Sequence, residues 1–306
     1  MEDQKEAGGN QKEGQGKRKM KKFFFALVII ALLIVWIGIF LPQDPGSKQE
    51  ISFLVKRGEG TRDIAIHLEQ EGLVPSSPLF YLFVLSTGIS GKLQAGTYGF
   101  SSAMSPFEIS KKLAMGDVIE EHITIIEGWG IKDIAAYFTE KGLFQEKEVL
   151  AYTDFEGYLF PDTYLVTKDI KLKEIIQLML QTFEEKISSE WRAEIQKQGK
   201  TLSDIVIMAS LLEKELQTLE DKKIAADVLW KRLSIGMALQ VDASPITYEQ
   251  RGLPEKPIAN PGLKSIEAAI YPTESPYWYY LSTPEGETIF SRTLEEHNTA
   301  KAQYLK

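Results

Sequence analysis

The chain has no cysteine among its 306 residues. That excludes disulfide staples, thiolate metal sites, a cysteine nucleophile and lipid attachment at a cysteine. Histidine is nearly as scarce, and His67, His122 and His297 are too scattered for a histidine metal site. There is no Walker A pattern and no G-x-G-x-x-G run, so neither a phosphate loop nor a dinucleotide fold is indicated and no cofactor is expected. Charge of either sign is missing altogether from Phe23 to Leu41.

That uncharged stretch, FFFALVIIALLIVWIGIFL, holds 19 apolar residues. As a helix it rises about 28 Å, close to the thickness of a bilayer's hydrocarbon core. Lys17, Arg18, Lys19, Lys21 and Lys22 precede it, and the Pro42-Gln43-Asp44-Pro45 that follows has no basic cluster. The positive-inside rule therefore puts residues 1–22 in the cytoplasm and the body on the far side. A cleaved signal peptide is the alternative. The apolar run is longer than a usual h-region and lacks a small-x-small cleavage site; either reading exports the body. Residues 1–16, rich in Gly, Gln, Glu and Lys, are expected to be disordered.

Residues 1–22 carry seven Lys/Arg against four Asp/Glu, leaving −11 on the rest of a chain whose total is −8. An acidic body lacks the basic footprint that nucleic-acid binding needs.

After a polar linker, 42–50, a repeat appears at an offset of 70 residues. Gly58, Gly60, Asp63, Ile64, Ala65, Gly72 and Leu73 match Gly128, Gly130, Asp133, Ile134, Ala135, Gly142 and Leu143. Each copy reads as strand, Gly turn, then a helix of about ten residues stopped by glycine. Such a unit is too small to fold alone and must pack on neighbours. It reads as a recurring structural piece or as a small carbohydrate-binding module. Ser105-Pro-Phe-Glu108 is a capping box opening a further helix. Residues 51–117 thus form a small α+β module, and 118–306 a larger α+β domain. In the latter, helices are expected over Ile170–Ile187, Leu202–Leu219 (Ser203 as N-cap), Ile224–Leu233, Ser265–Ile270 and Leu294–Tyr304. A hairpin is expected over Tyr277–Ser291.

The helix Ile205-Val-Ile-Met-Ala-Ser-Leu-Leu212 is apolar nearly all round and so should be buried. It runs into Glu213-Lys214-Glu215. Glu213 shares a face with Val206 and Ala209, where desolvation disfavours a charged carboxylate, as a general acid requires. Glu215 lies roughly 200° further round, so the two carboxyls cannot flank one bond as in an ordinary glycosidase. A structural glutamate paired with a cation is the competing reading.

Six motifs then stand in order: Phe155-Glu-Gly-Tyr-Leu-Phe-Pro-Asp-Thr-Tyr164, Ala209-Ser-Leu-Leu-Glu-Lys-Glu215, Leu239-Gln-Val-Asp242, Pro257-Ile-Ala-Asn-Pro-Gly262, Ser265-Ile-Glu-Ala-Ala269 and Leu294-Glu-Glu-His-Asn298. The chain from about residue 51, with the anchor before it, resembles the YceG-like endolytic murein transglycosylases (the MltG family). The resemblance implies cutting of nascent peptidoglycan strands beside a bacterial inner or plasma membrane, at the MurNAc-GlcNAc β-1,4 bond. The C6 hydroxyl of the muramic acid attacks its own C1, which leaves 1,6-anhydro ends. An intramolecular nucleophile has a high effective molarity, so one carboxyl suffices, first as acid and then as base. The resemblance assigns that carboxyl to Glu213 and likens residues 51–117 to a LysM-like module.

Glu156, Tyr158, Asp162, Thr163 and Tyr164 suit a sugar cleft or, equally, a turn packed on the core. Gln240 and Asp242 position substrate or Glu213, Asp242 serving otherwise as a helix cap or a satisfied turn residue, and Asn260 shapes a loop or reaches the substrate. His297 and Asn298 fall in the last helix. Between Asp242 and Pro257 the chain lacks an insert that many family members carry, which opens or reshapes one side of the cleft. A non-catalytic glycan-binding scaffold, and a hydrolase with Asp242 as base, are the other readings. Glycan strands are the expected partner, with peptidoglycan synthases as candidates.

Overall fold

A computed structural model describes residues 3–305, with side chains from Met20 onward. Contacts divide it into two units. One runs to Glu121 and includes Thr167–Asp169; the other comprises His122–Val166 and the chain from Ile170. Both mix helices with two-stranded sheets, as the α+β expectation has it.

The first unit begins with α1, Asp3–Phe40. Its part Met20–Phe40 is long and apolar enough to cross a membrane. The backbone is helical from Asp3, over residues expected to lack structure. Met1 and Glu2 lie outside the described residues.

Then come β1 (Ile51–Val55), α2 (Thr61–Gln70), α3 (Ser77–Ser86), β2 (Gly96–Phe100) and α4 (Pro106–Met115). β1 and β2 pair antiparallel with Phe53 opposite Tyr98. Period-two alternation turns Phe53 and Val55 to the core, where Ile64, Leu68, Phe80, Val84, Ile109 and Leu113 meet them. The Ser105 capping box forms: its hydroxyl accepts from the Glu108 N–H, and the Glu108 carboxylate accepts from the Ser105 N–H at 2.7 Å. α1 packs on this unit through its last turns. Phe40 meets Phe83 and Phe107 at centroid distances of 6.5 and 5.6 Å, and Gly38 lies against Leu79.

β3 (Glu120–Thr124) enters the second unit at His122; α5 (Ile131–Glu140), α6 (Glu146–Leu150) and β4 (Thr163–Thr167) follow, and β4 pairs with β3. The repeat recurs in the backbone. Gly58 and Gly128 both take left-handed turns (φ 83° and 81°), as do Gly72 and Gly142 (φ 67° and 69°). In each copy the amide after the stopping glycine caps the helix: Leu73 N–H to Leu68 O, and Leu143 N–H to Phe138 O, both 2.9 Å.

There follow α7 (Leu172–Lys186), α8 (Ser189–Lys197), α9 (Leu202–Glu215), α10 (Leu219–Ser234), α11 (Ile246–Glu249), α12 (Leu263–Ile270), the hairpin β5 (Tyr279–Ser282) and β6 (Thr288–Ser291), and α13 (Leu294–Tyr304). α9 is capped by Thr201, whose hydroxyl accepts from Asp204 N–H at 3.1 Å, two residues before the expected Ser203. It is buried throughout Ile205–Leu212 and sandwiched by α12 and α10. The helix expected to reach Leu219 breaks at Leu216; a second cap at Thr218 restarts it as α10.

Ser105→Ala removes one cap acceptor, which costs about 1 kcal/mol. Hydrogen exchange should show lost protection of the first α4 amides, including Glu108, with α9 amides unchanged.

Candidate active site

The last turn of α9 presents its two glutamates to different surroundings. The Glu213 side chain is 8% exposed and that of Lys222 on α10 is 4%. Lys222 Nζ donates to Glu213 Oε1 at 2.9 Å, and the Gly262 N–H donates to Oε2 at 2.8 Å. The desolvation expected from the apolar helix is present, but a cation and an amide occupy both oxygens.

Glu215 opens instead on a polar cavity of about 310 Å³. Arg232 of α10, Gln240, Asp242 and Tyr248 of the loop, Tyr279 and Tyr280 of β5, and His297, Asn298 and Lys301 of α13 also line it. Burial pushes the Glu215 carboxyl above the usual range, against an opposing hydrogen bond from the Ala243 N–H at 2.7 Å; the Asp242 charge adds to the rise. Asp242 accepts from the Tyr248 hydroxyl. Burial and that acceptor hold the Tyr248 phenol up at about 12.

Two buried polar atoms on the cavity wall, the Tyr280 hydroxyl and His297 Nδ1, have no hydrogen-bond partner. Native interiors leave few such atoms, and a ligand-sized cavity is where a partner would arrive. Burial lowers the His297 pKa, with Lys301 and Arg232 adding to it, so the ring is neutral near pH 7. It stacks on Tyr279 at 5.3 Å. Arg232 is buried, donates to the carbonyls of Leu239 (2.6 Å) and Trp278 (2.8 Å), and lies under the Tyr279 ring. Gln240 holds φ 54°, the one left-handed non-glycine residue among those described. Such strain costs about 1 kcal/mol or more and collects at functional sites.

Of the residues singled out from sequence, Gln240, Asp242, His297 and Asn298 line this cavity. Glu156, Tyr158, Asp162, Thr163, Tyr164 and Asn260 are engaged elsewhere. Glu156 accepts from the Ile131 N–H at 3.0 Å and so caps α5. Tyr158 packs edge-on against Phe183, and the buried Tyr164 donates to Phe160 O at 2.5 Å. Asp162 pairs with Lys186 at 3.2 Å, and Thr163 meets Thr124 across β3–β4 at 3.0 Å. Asn260 is fully buried. Its Oδ1 accepts from Gly157 and Leu159 N–H at 2.8 and 3.0 Å, and its Nδ2 donates to Trp129 O at 2.9 Å. It is a strut joining two loops. Among the described residues, no group of His, Asp or Glu is arranged to hold a metal ion.

The model of the YceG-like family matches residues 53–246 and 246–303. The chain belongs to the YceG-like family. The two matched stretches meet at Ile246, inside the segment between Asp242 and Pro257. Here the short connection forms α11, and Tyr248 swings back onto Asp242.

Among YceG-like relatives, the chain is similar to the endolytic murein transglycosylase of Bacillus subtilis strain 168, at 29% identity over 86% of this chain and 87% of that one. It is also similar to the endolytic murein transglycosylase of Streptococcus pneumoniae strain D39, at 25% identity over 87% of this chain; there it spans 60% of the relative's length. A 2.6 Å crystal structure of a yceG-like protein from Listeria monocytogenes matches 83% of this chain and all of that one, with a TM-score of 0.54 and 29% identity.

Sequence reasoning did not single out Tyr248, Tyr280 or Arg232, and it set Glu215 aside. The available signal for Glu215 was its place at the end of a buried helix, one turn beyond the apolar Leu211 and Leu212.

Asn260→Ala removes three buried hydrogen bonds and should cost roughly 2–4 kcal/mol. The measurement is the denaturant midpoint. An unchanged midpoint would show that the strut carries no load.

Proposed function

We propose that this protein is an endolytic murein transglycosylase: a lyase that cuts peptidoglycan glycan strands internally, leaving 1,6-anhydro-muramic ends. The curated relatives bear that name. One observation carries the assignment of chemistry within the site: a carboxyl with a raised pKa, Glu215, stands at a polar cavity whose wall holds unpartnered polar atoms.

The sequence reading placed the acid on Glu213. The surroundings favour Glu215. A general acid must keep its proton near neutral pH and reach the bond. Glu213 is sealed and held by an ammonium and an amide, an arrangement suited to tying α9 to α10 and to the loop before α12.

In this reading Glu215 protonates the glycosidic oxygen as the C1–O bond breaks. The resulting carboxylate then takes the C6 hydroxyl proton while that oxygen bonds to C1. The proton count closes on one residue, and no water is consumed. Asp242, steadied by Tyr248, stabilises positive charge developing at C1 and, as a like charge, keeps the Glu215 proton in place. Tyr280 and neutral His297 supply hydrogen-bonding groups for hydroxyl and acetamido groups of the sugar.

The finer readings belong to the same proposal. Residues 51–117 act as a LysM-like glycan-holding module, supported by their strand–helix–helix–strand order. The N-terminus is cytoplasmic and the body extracytoplasmic, supported by the basic cluster before Phe23. Strands emerging from peptidoglycan synthases are the substrate.

Detergent-solubilised protein incubated with uncrosslinked glycan strands should release anhydro-ended fragments, separable from reducing ends by mass. Reducing ends would overturn the lyase reading in favour of hydrolysis; no cleavage would favour the scaffold. Glu215→Gln should lower the rate about 10²–10⁴-fold, as loss of a general acid does, with an unchanged melting temperature. Glu213→Gln leaves a buried ammonium unpaired and should cost about 3–5 kcal/mol of stability. An inactive Glu213→Gln enzyme with wild-type stability, beside an active Glu215→Gln enzyme, would return the role to Glu213.

The sign of the pH dependence follows from the raised carboxyl. Its folded value lies above its unfolded one, so its stabilising contribution is present at low pH and lost as pH rises through the folded value. Catalysis needs the same proton, so kcat/KM should fall on the alkaline side at a pH above the ordinary carboxylate value of about 4.3. Asp242→Asn removes a neighbouring negative charge and should move that limb to lower pH.

A further inference from the structure

We infer that the face of the first unit formed by α3 and α4 lies in the interface of a lipid bilayer, beside the spanning helix. The inference rests on the reading of Met20–Phe40 as membrane-spanning.

α3, Ser-Pro-Leu-Phe-Tyr-Leu-Phe-Val-Leu-Ser, is apolar on every side. An all-round apolar helix belongs in a core or in lipid. Here one side, Phe80 and Val84, enters the core. A second, Leu79 and Phe83, is covered by Gly38 and Phe40 of α1. The third side is open: Leu82 is 59% exposed and Leu85 44%. On α4 the outward stripe is Phe107, Lys111 and Met115, at successive turns, with Phe107 43% and Met115 68% exposed.

A scatter of exposed leucines would mean little, but these form one patch with the end of the spanning helix. Phe107 touches Phe40 and Phe83 at 5.6 and 6.2 Å, so no polar gap separates the patch from α1. Contact with the last turn of α1 also sets its depth. A 21-residue span from Met20 to Phe40 rises about 31 Å, the thickness of the hydrocarbon core, so its last turn sits at the headgroup boundary. Trp36, Phe40, Phe83 and Phe107 ring that level, as aromatic belts do. Around Met115, Asp117 pairs with Lys112 at 3.0 Å and the Glu108 carboxylate is taken up in the Ser105 cap, which leaves Lys111 to suit lipid phosphate. Lys111 sits between Phe107 and Met115 where its stem can lie on apolar surface and its head reach outward. Beside Leu82, a groove of about 390 Å³ lined by Ile66, Pro78 and Tyr81 has Arg62 as its charged residue. Continuity with the spanning helix and these cations commit the patch to lipid rather than to a second copy of the chain.

The natural absence of cysteine allows a direct test on the full-length protein. Single cysteines at Leu33, Ser52, Leu82 and Leu85 are labelled with an environment-sensitive fluorophore. Each variant is placed in nanodiscs of mixed zwitterionic and anionic lipid carrying spin-labelled quencher lipids. Ser52 lies on the outer face of β1, turned away from the helices. Labels at 82 and 85 should shift to the blue and be quenched at a depth of about 5–10 Å, as interfacial helices are, while the label at 52 stays wet. Labels at 82 and 85 as wet as that at 52, with 33 quenched, overturn the inference and leave the spanning reading standing. Shielding at 82 and 85 that occurs only in discs holding two chains assigns the patch to a second copy and also overturns it. A wet label at 33 removes the spanning reading and this inference together.

Discussion

Lys222 and Glu213 meet at 2.9 Å with almost no water around either, and the geometry of the second unit depends on that pair. A buried ammonium and carboxylate are costly apart, so α9 and α10 cannot separate there without leaving a charge stranded. The second carboxylate oxygen takes the Gly262 amide and so fixes the chain as it enters α12. Three helices thus converge on one side chain. Glu215, two residues further along α9, inherits its place from this clamp. A rigid support under a reactive group is worth more than another reactive group, because the geometry must hold to within a fraction of an ångström.

Local chemistry was the most legible part of the fold in the sequence. The Ser105–Glu108 box, the paired glycines of the repeat, the last helix Leu294–Tyr304 and the 279–291 hairpin all rest on signals only a few residues long. What failed was also local in kind. Thr201 and Ser203 are both good caps, and the choice between them was made by Asp204 closing a box onto Thr201. α8 was missed because Ser189–Lys197 carries few apolar residues, and Ile195 is its one fully buried side chain. The break between α9 and α10 was invisible because Leu216 and Leu219 continue the apolar pattern across it.

The site was legible by half. Helical geometry places Glu213 and Glu215 on different faces, and that holds. Which face opens outward depends on β5 and α13, which lie far along the chain and leave no trace in the spacing around α9. The motif from Phe155 to Tyr164 left two readings open for a related reason. Aromatic and acidic residues suited to sugars suit a packed turn equally well. Here Asn260, a hundred residues away, ties that turn down through Gly157 and Leu159. Tyr248 and Tyr280 matter through an acceptor and a cavity that only the folded chain supplies.

The cavity wall is drawn from α9, α10, the 240–248 loop, β5 and α13. A chain emerging from its N-terminal end therefore carries Glu215 long before it carries His297 or Lys301. Until β5 and α13 are in place, the cavity that Glu215 lines lacks two of its walls. The order of synthesis thus sets an order of assembly: the cavity is completed only by elements made well after the helix that carries Glu215.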